Sequence, residues 1–301
     1  MLELLIKEDR TLISEALEEA GIRGARIKAL FKSGSVKVDG KVKKHDAELK
    51  KDRTVTVDGI FPDFDVKGSV VYEDDNFFVM TKPSGMDVLT KEETGRDTLY
   101  MMAVRHMRET GQYEADVISV PYMIGDIDRD SSGLVIVAKD ETMFVLLSGA
   151  VRERRIRMVM TIYAGTVPTE EQGDLTGYIR IKRNGTIEVE DSHDKGLIPA
   201  VVRYRVLESN MGASIIEAAC LNGGTLMARA ILGHKGIPVI GDEVYGDEKV
   251  NELFPVSCPS ITVNRIVFET GLNNQLTYLN RKVIESRDIA LPELRMRRRK
   301  E

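Results

Sequence analysis

Gly125-Asp126-Ile127-Asp128-Arg129-Asp130-Ser131-Ser132-Gly133 runs straight into Leu134-Val135-Ile136-Val137-Ala138. A short, uninterrupted aliphatic run bounded by turn residues predicts a strand buried on both faces. The polar stretch before it therefore sits at the mouth of a sheet. Three alternating aspartates invite a calcium loop, whose oxygen ligands come at that spacing. The sixth and twelfth positions counted from Asp126 are Ser131 and Val137, where an EF-hand needs Gly and Glu. An Asp/Ser-rich turn capping the strand is the plain structural reading, and a carboxylate placed for chemistry is the third.

Outward from this point the pattern is strand-rich. Val70-Val71-Tyr72 and Phe77-Phe78-Val79-Met80 are further short apolar runs. Helical stretches are expected near Thr98–Glu109 and Thr142–Arg155. The N-terminal part reads differently. Leu12, Ala16, Leu17 and Ala20 recur at helical spacing before Gly21, and a second helix is expected from Arg23 to Lys32. Val36-Lys37-Val38-Asp39-Gly40-Lys41-Val42 is strand, Asp-Gly turn, strand, a strong hairpin signal. Thr54–Val57 closes that unit. The expected organisation is a small domain at 10–58, a linker at 59–69 containing Pro62 and Gly68, a larger domain at 70–290 and a basic tail at 291–301.

The chain has 301 residues, 42% hydrophobic and 30% charged, with a formal net charge of −5. Overall acidity disfavours phosphate binding, but the basic residues are clustered. Arg23–Arg53 forms one cluster, Arg152, Arg154, Arg155 and Arg157 a second, and Arg295–Lys300 a third. Local basic faces on an acidic protein suit RNA. Two cysteines and four scattered histidines exclude a disulfide framework or a zinc site. The early charges Glu3, Lys7, Glu8 and Asp9 argue against a signal peptide, and no run approaches a membrane span. A cytoplasmic setting is expected.

Two resemblances follow from these residues. The two helices and the Ser33–Val42 hairpin resemble the S4 RNA-binding module. That likeness implies that Arg23, Arg26, Lys28, Lys32, Lys37 and Lys41 contact RNA phosphates. Ile127–Leu134 resembles the L-D-x-x-T-S-G-L part of the catalytic loop of RluA-type pseudouridine synthases, with Ser for Thr. Lys82-Pro83-Ser84-Gly85 matches that family's K-P-x-G, and Val151–Ile156 resembles its F-x-x-R-x-V. Gly236-Ile237-Pro238-Val239-Ile240-Gly241-Asp242-Glu243-Val244-Tyr245-Gly246 matches its G-x-P-I-x-G-D-x-x-Y-G. These blocks cover about residues 70–290.

The resemblance implies an α+β fold: an S4-like domain, then a mixed, mostly antiparallel sheet flanked by helices and loops. It implies isomerisation of uridine to pseudouridine in structured RNA, ribosomal in preference to transfer RNA, with no cofactor, no metal and a monomeric chain. Asp128 would be the nucleophile or base, and Arg229 its ion-pair partner. The family's H-R before L-D is Gly125-Asp126 here, and Met160 stands where a tyrosine packs against the base and is proposed to help remove a proton. A thioether can pack on a ring but cannot move a proton. The alternative is a catalytically silent RNA-binding relative acting as an RNA chaperone or assembly factor.

Overall fold

The computed structural model describes residues 2–22, 24–89, 94–112, 120–210 and 212–286. Two compact units emerge, one from Met1–Val66 with Gly85–His106, the other from Lys67–Ser84 with Met107–Glu301.

The first unit holds β1 (Leu2–Leu5), β2 (Thr11–Leu12), α1 (Ile13–Glu19), α2 (Ala25–Lys32), β3 (Val36–Val38), β4 (Lys41–Val42), β5 (Glu48–Leu49), β6 (Thr54–Val57) and most of α3 (Leu99–Glu109). Its main sheet has the order β1-β6-β3-β4, all antiparallel. Asp39 and Gly40 both adopt positive φ, 46° and 78°, which is what a two-residue hairpin turn between twisted strands requires. Val36, Val38, Val55 and Val57 face inward at alternate positions and meet Ile13, Leu17, Ile27 and Leu30 from the helices. The Glu15 carboxylate accepts from the Leu12 N–H, closing the first turn of α1.

Two expectations shift. The small domain begins at β1, which pairs with β6 residue for residue, rather than at residue 10. Segment 85–106, expected in the larger domain, belongs to this unit. The reason is polar: Arg26 donates to the Gly95 carbonyl at 2.7 Å and to Asp97 at 2.6 Å, while Asp97 also accepts from the Phe61 N–H at 2.8 Å. No hydrophobic period announces such ties.

The second unit holds β7 (Val70–Glu73), β8 (Phe77–Lys82), β9 (Tyr122–Ile124), β10 (Ser132–Ala138), α4 (Glu141–Arg152), β11 (Ile156–Ala164), β12 (Gln172–Ile181), β13 (Ile187–Glu190), β14 (Ile198–Asn210), β15 (Ala213–Cys220), α5 (Thr225–His234), α6 (Glu248–Leu253), β16 (Ile261–Phe268) and β17 (Val283–Glu285). One sheet runs β13-β12-β14-β15-β11-β16-β10-β8-β7, with β9 added on β10 and β17 on β16. Every pairing is antiparallel except β10 with β16. Leu134–Ala138 of β10 and Phe77–Met80 of β8 are wholly buried, as the aliphatic runs predict. The Asp140 side chain caps α4 by accepting from the Met143 N–H.

Two features of this sheet create the site. β11 pairs with β15 only from Met160 to Ala164, while it pairs with β16 from Ile156 onward. Beyond Met160↔Ala218 the two strands part and leave a fork. At the start of β10, Gly133 lies against β16 so closely that a Cβ there would sit 2.4 Å from the Val263 N and O. Its φ of 131° also excludes ordinary side chains. The glycine that ends the Asp/Ser-rich loop is thus what lets β10 dock beside β16.

Candidate active site

The loop before β10 is clamped on both sides. Lys82, buried at the end of β8, donates from Nζ to the Pro83 and Arg129 carbonyls at 3.0 Å each, and Ser84 Oγ donates to the Asp130 carbonyl at 2.6 Å. On the other side the N-terminus of α5 grips the loop. The Thr225 N–H donates to the Asp126 carbonyl at 2.9 Å, and Thr225 Oγ1 accepts from the Asp128 N–H at 2.9 Å. The loop carbonyl satisfies a helix N–H that no side chain caps.

Gly224 makes this approach possible, since a Cβ there would lie 1.6 Å from the Asp126 oxygen. Gly224→Ala is therefore expected to lower the unfolding free energy by at least the ~1–3 kcal/mol typical of overpacking, and the midpoint with it. Gly149→Ala, in α4 with nothing within 4 Å of its Cβ position, is the control and is expected to gain about 0.5–1 kcal/mol. Equal midpoints for the two variants in a denaturant titration would contradict the close-contact argument.

Asp128 and Arg229, 101 residues apart in sequence, meet here. Arg229 Nη1 donates to Asp128 Oδ1 at 2.7 Å. Oδ1 also accepts from the Asp130 and Ser131 N–H groups, and Oδ2 accepts from Ser131 Oγ and Thr225 Oγ1, each at 2.6 Å. Burial pushes the Asp128 pKa up, but the Arg229 charge and the Ser131 and Thr225 hydrogen bonds outweigh it, and the net shift is downward. The positive end of α5 acts in the same direction.

Arg229 is 1% exposed. Desolvation disfavours its charge, yet Asp242, Asp128 and Asp130 together hold its pKa above the ordinary arginine value. Asp242 is its main anchor, accepting from Nε at 2.7 Å and Nη2 at 2.8 Å in a bidentate pair. Asp242 in turn accepts from the Val244 and Tyr245 N–H groups. The order of dependence is Asp242, then Arg229, then Asp128.

A cavity of about 540 Å³ opens in the fork between β11 and β15, within the size range of small-ligand sites. Met158 and Met160 of β11, Cys220 of β15, the loop residues Asp126 and Ile127, and Thr225 form part of its wall. Asp128 itself is not in that wall; its chain neighbour Ile127 and its hydrogen-bond partner Thr225 are. Met160 is 2% exposed and lines the cavity. Arg152 and Arg154 stand exposed at the rim with no ion-pair partner among the described residues, whereas Arg157 is paired with Glu269.

A second hollow, of about 640 Å³, lies on the sheet over β12, β14, β15, β11 and β16. Its Arg203 is committed to Asp174, and its Arg205 and Arg265 to Glu217, which lowers its pull on an anion. Among the described residues no group of three His, Cys, Asp or Glu side chains is placed to hold a metal ion, and no helix there is long and apolar enough to cross a membrane.

The other sequence candidates lie in the first unit. Lys28, Lys32 and Lys41 are exposed and have no ion-pair partner among the described residues. Arg26 is committed to Asp97, and Lys37 pairs with Asp58 at 2.8 Å. Arg23 and the tail at 291–301 lie outside the described residues. Three groups escaped the sequence reading: Ser131, Thr225 and Asp242. The signal for Thr225 was present, because a hydroxyl residue after Gly223-Gly224 is a helix-start pattern. Asp242 was quoted within its block and given no role.

A protein of Oryza sativa subsp. japonica named RNA pseudouridine synthase 2, chloroplastic, is 26% identical over 284 residues, covering 79% of this chain and 64% of that protein. The chain thus spans less than two thirds of that relative's length. The ribosomal large subunit pseudouridine synthase C of Rickettsia bellii is 24% identical over 219 residues, 70% of each chain. The solved structure of human RNA pseudouridylate synthase domain containing 4 shares the fold, with a TM-score of 0.55 at 16% identity over 68% of this chain and 85% of that one. The model of a family described as RNA pseudouridylate synthase matches residues 76–276, a span that takes in β8, the Asp128 loop, the forked strands and the Arg229–Asp242 pair, and to that family this chain belongs.

Proposed function

We propose that the protein isomerises uridine to pseudouridine in structured RNA, with ribosomal RNA the preferred substrate class. The observation that carries this reading is an ionised carboxylate, Asp128, fixed by a buried arginine beside a cavity walled largely by methionine and aliphatic side chains. Breaking the N-glycosidic bond needs a carboxylate that acts at the ribose, either on C1′ as a nucleophile or on C2′ as a base. The detached uracil must then turn and rejoin through C5. An apolar, slightly adaptable wall suits a base that has to rotate in place, and Met160 supplies a polarisable face for it. No electrons enter or leave, so the reaction requires no redox cofactor.

The nucleotide must leave its stack to reach the cavity. Arg152 and Arg154 at the rim suit the phosphates beside a flipped nucleotide, as contacts that position without reading sequence. Lys28, Lys32 and Lys41 on the first unit, read as an S4-like module, would hold a neighbouring part of the RNA. Reversing all three to Glu is expected to weaken RNA binding and to flatten its dependence on salt by about two to three units of slope. Salt-independent binding by the unmodified protein would sink that assignment. Arg26 is unsuited to the test, because its reversal would also break the tie to Asp97. The activity itself is tested by tritium release from ribosomal RNA labelled at uridine C5, prepared from cells lacking this protein. Release catalysed by the protein is the expected result; its absence from both ribosomal and transfer RNA would overturn the proposal.

A further inference from the structure

Asp126 stands out among the cavity residues. It is exposed, it lies in the wall of the 540 Å³ cavity, and its carboxylate has no hydrogen-bond or ion-pair partner among the described residues. Asp128, two residues on, accepts five hydrogen bonds; Asp126 accepts none on its side chain. Its backbone is nevertheless fixed, because its carbonyl is held by the Thr225 N–H and pressed against Gly224. A free carboxylate on a rigid backbone, in the wall of the cavity a base would occupy, has no structural task to perform. Met160 lines the same cavity and cannot accept a proton.

We propose that Asp126 is the base that removes the C5 proton after uracil has rejoined the ribose, an inference that rests on the isomerase reading above. At that stage C5 carries both its hydrogen and C1′, and the ring holds a C6=N1 double bond. Asp126 takes the proton. The C5–H electron pair becomes C5=C6, the former C6=N1 π pair moves to N1, and N1 takes a proton from water. Asp126 then returns its own proton to solvent, so atoms and charges balance.

The surroundings suit this task. Although part of its side chain stays open to water, partial desolvation by the surrounding cavity walls and the neighbouring Asp128 charge both push the Asp126 pKa above the usual carboxylate value. A raised pKa makes a stronger base, and one nearer the working pH. Asp128 on the loop, Cys220 of β15, and Arg152, Arg154 and Arg157 around the cavity are the other titratable or charged groups. Burial pushes the Cys220 thiol up to about 11, and the Asp126 charge adds to that shift, so this thiol stays neutral beside the base.

The test compares the unmodified protein with Asp126→Asn and with the double variant Asp126→Asn, Met160→Tyr, using C5-tritiated ribosomal RNA. Asn keeps the backbone contacts. Tritium release is expected to fall at least about a hundredfold with RNA affinity retained, and the acidic limb of the pH–rate profile is expected to move to lower pH, where Asp128 protonates. The tyrosine hydroxyl in the double variant is expected to recover at least tenfold. A single variant that keeps its rate, or leaves the acidic limb at its original pH, or gains nothing from Tyr at 160, overturns the role of Asp126. Failure of the isomerase reading looks different: the unmodified protein itself would release no tritium, and the proposed base would fall with it.

Discussion

Asp128→Asn is expected to bring tritium release to background, a loss of at least about a thousandfold, while RNA affinity changes by less than about twofold. The hydrogen-bond inventory explains why the fold should survive. Arg229 Nη1 can only donate, so the Asn oxygen must take the Oδ1 position, where it also keeps the Asp130 and Ser131 N–H donors. The Asn NH2 then faces Ser131 Oγ and Thr225 Oγ1, and hydroxyls can turn to accept. What disappears is the charge, and with it the nucleophile. The stability cost should be near the ~1–3 kcal/mol of a charge-assisted hydrogen bond, because Arg229 retains its bidentate partner Asp242. Asp128→Ala is the harsher variant, since it deletes all five accepted bonds. Persistence of tritium release in Asp128→Asn would place the chemistry elsewhere, and a large loss of RNA affinity would make the loop a binding element instead.

What the sequence disclosed, and what it did not, divides along the range of the interactions. The Asp39-Gly40 hairpin, α1, and the buried strands β8 and β10 announce themselves locally, through turn residues and hydrophobic period. So does the glycine before Leu134, although only the contact with Val263 explains its need. The pairing of Asp128 with Arg229 was legible through family blocks alone, since nothing in a local pattern links residues that far apart. Thr225 and Asp242 were hidden for the same reason: their roles consist of hydrogen bonds to Asp128 and Arg229. β1 is a four-residue strand whose partner β6 lies about fifty residues on, and no period of that length is diagnostic. Membership of segment 85–106 in the first unit depends on Arg26, Asp97 and carbonyl groups, which leave no apolar trace.

The fork is the deepest of these hidden features. β11 reads as a continuous strand, and its pairing with β16 is continuous apart from an irregularity between Val159 and Met160. Only the early end of its pairing with β15 opens the cavity. Strand termination on one side of a strand is a property of three segments at once, so it has no signature in any of them. The consequence is that Met160 is both a packed sheet residue and a cavity wall. That dual position explains how a substitution there can change chemistry without changing the sheet.

Arg229→Met should cost about 3–5 kcal/mol at neutral pH, because it strips two buried carboxylates of their common cation. The pH dependence gives this a sharper form. In the unmodified protein the folded-state pKa of Asp128 is depressed. Its contribution is therefore fully present above the unfolded carboxylate value, near 3.9, and is lost as pH falls through the still lower folded value. Removing the guanidinium takes away the largest depressing cause and leaves the burial that raises the pKa. The Ser131 and Thr225 hydrogen bonds remain, so the Asp128 pKa in the variant rises from its depressed value, and the variant's deficit is greatest well above pH 4 and shrinks as the medium becomes acidic. Denaturant midpoints at pH 7.5 and about pH 3, below the unfolded carboxylate value, measure this directly. A deficit that is the same at both pH values would mean that Arg229 acts by packing alone, and that Asp128 is not the charge it holds. A deficit below about 1 kcal/mol at pH 7.5 would mean that the hydroxyls of Ser131 and Thr225 suffice to keep the carboxylate ionised, and tritium release by the same variant would then show whether the arginine is needed for chemistry.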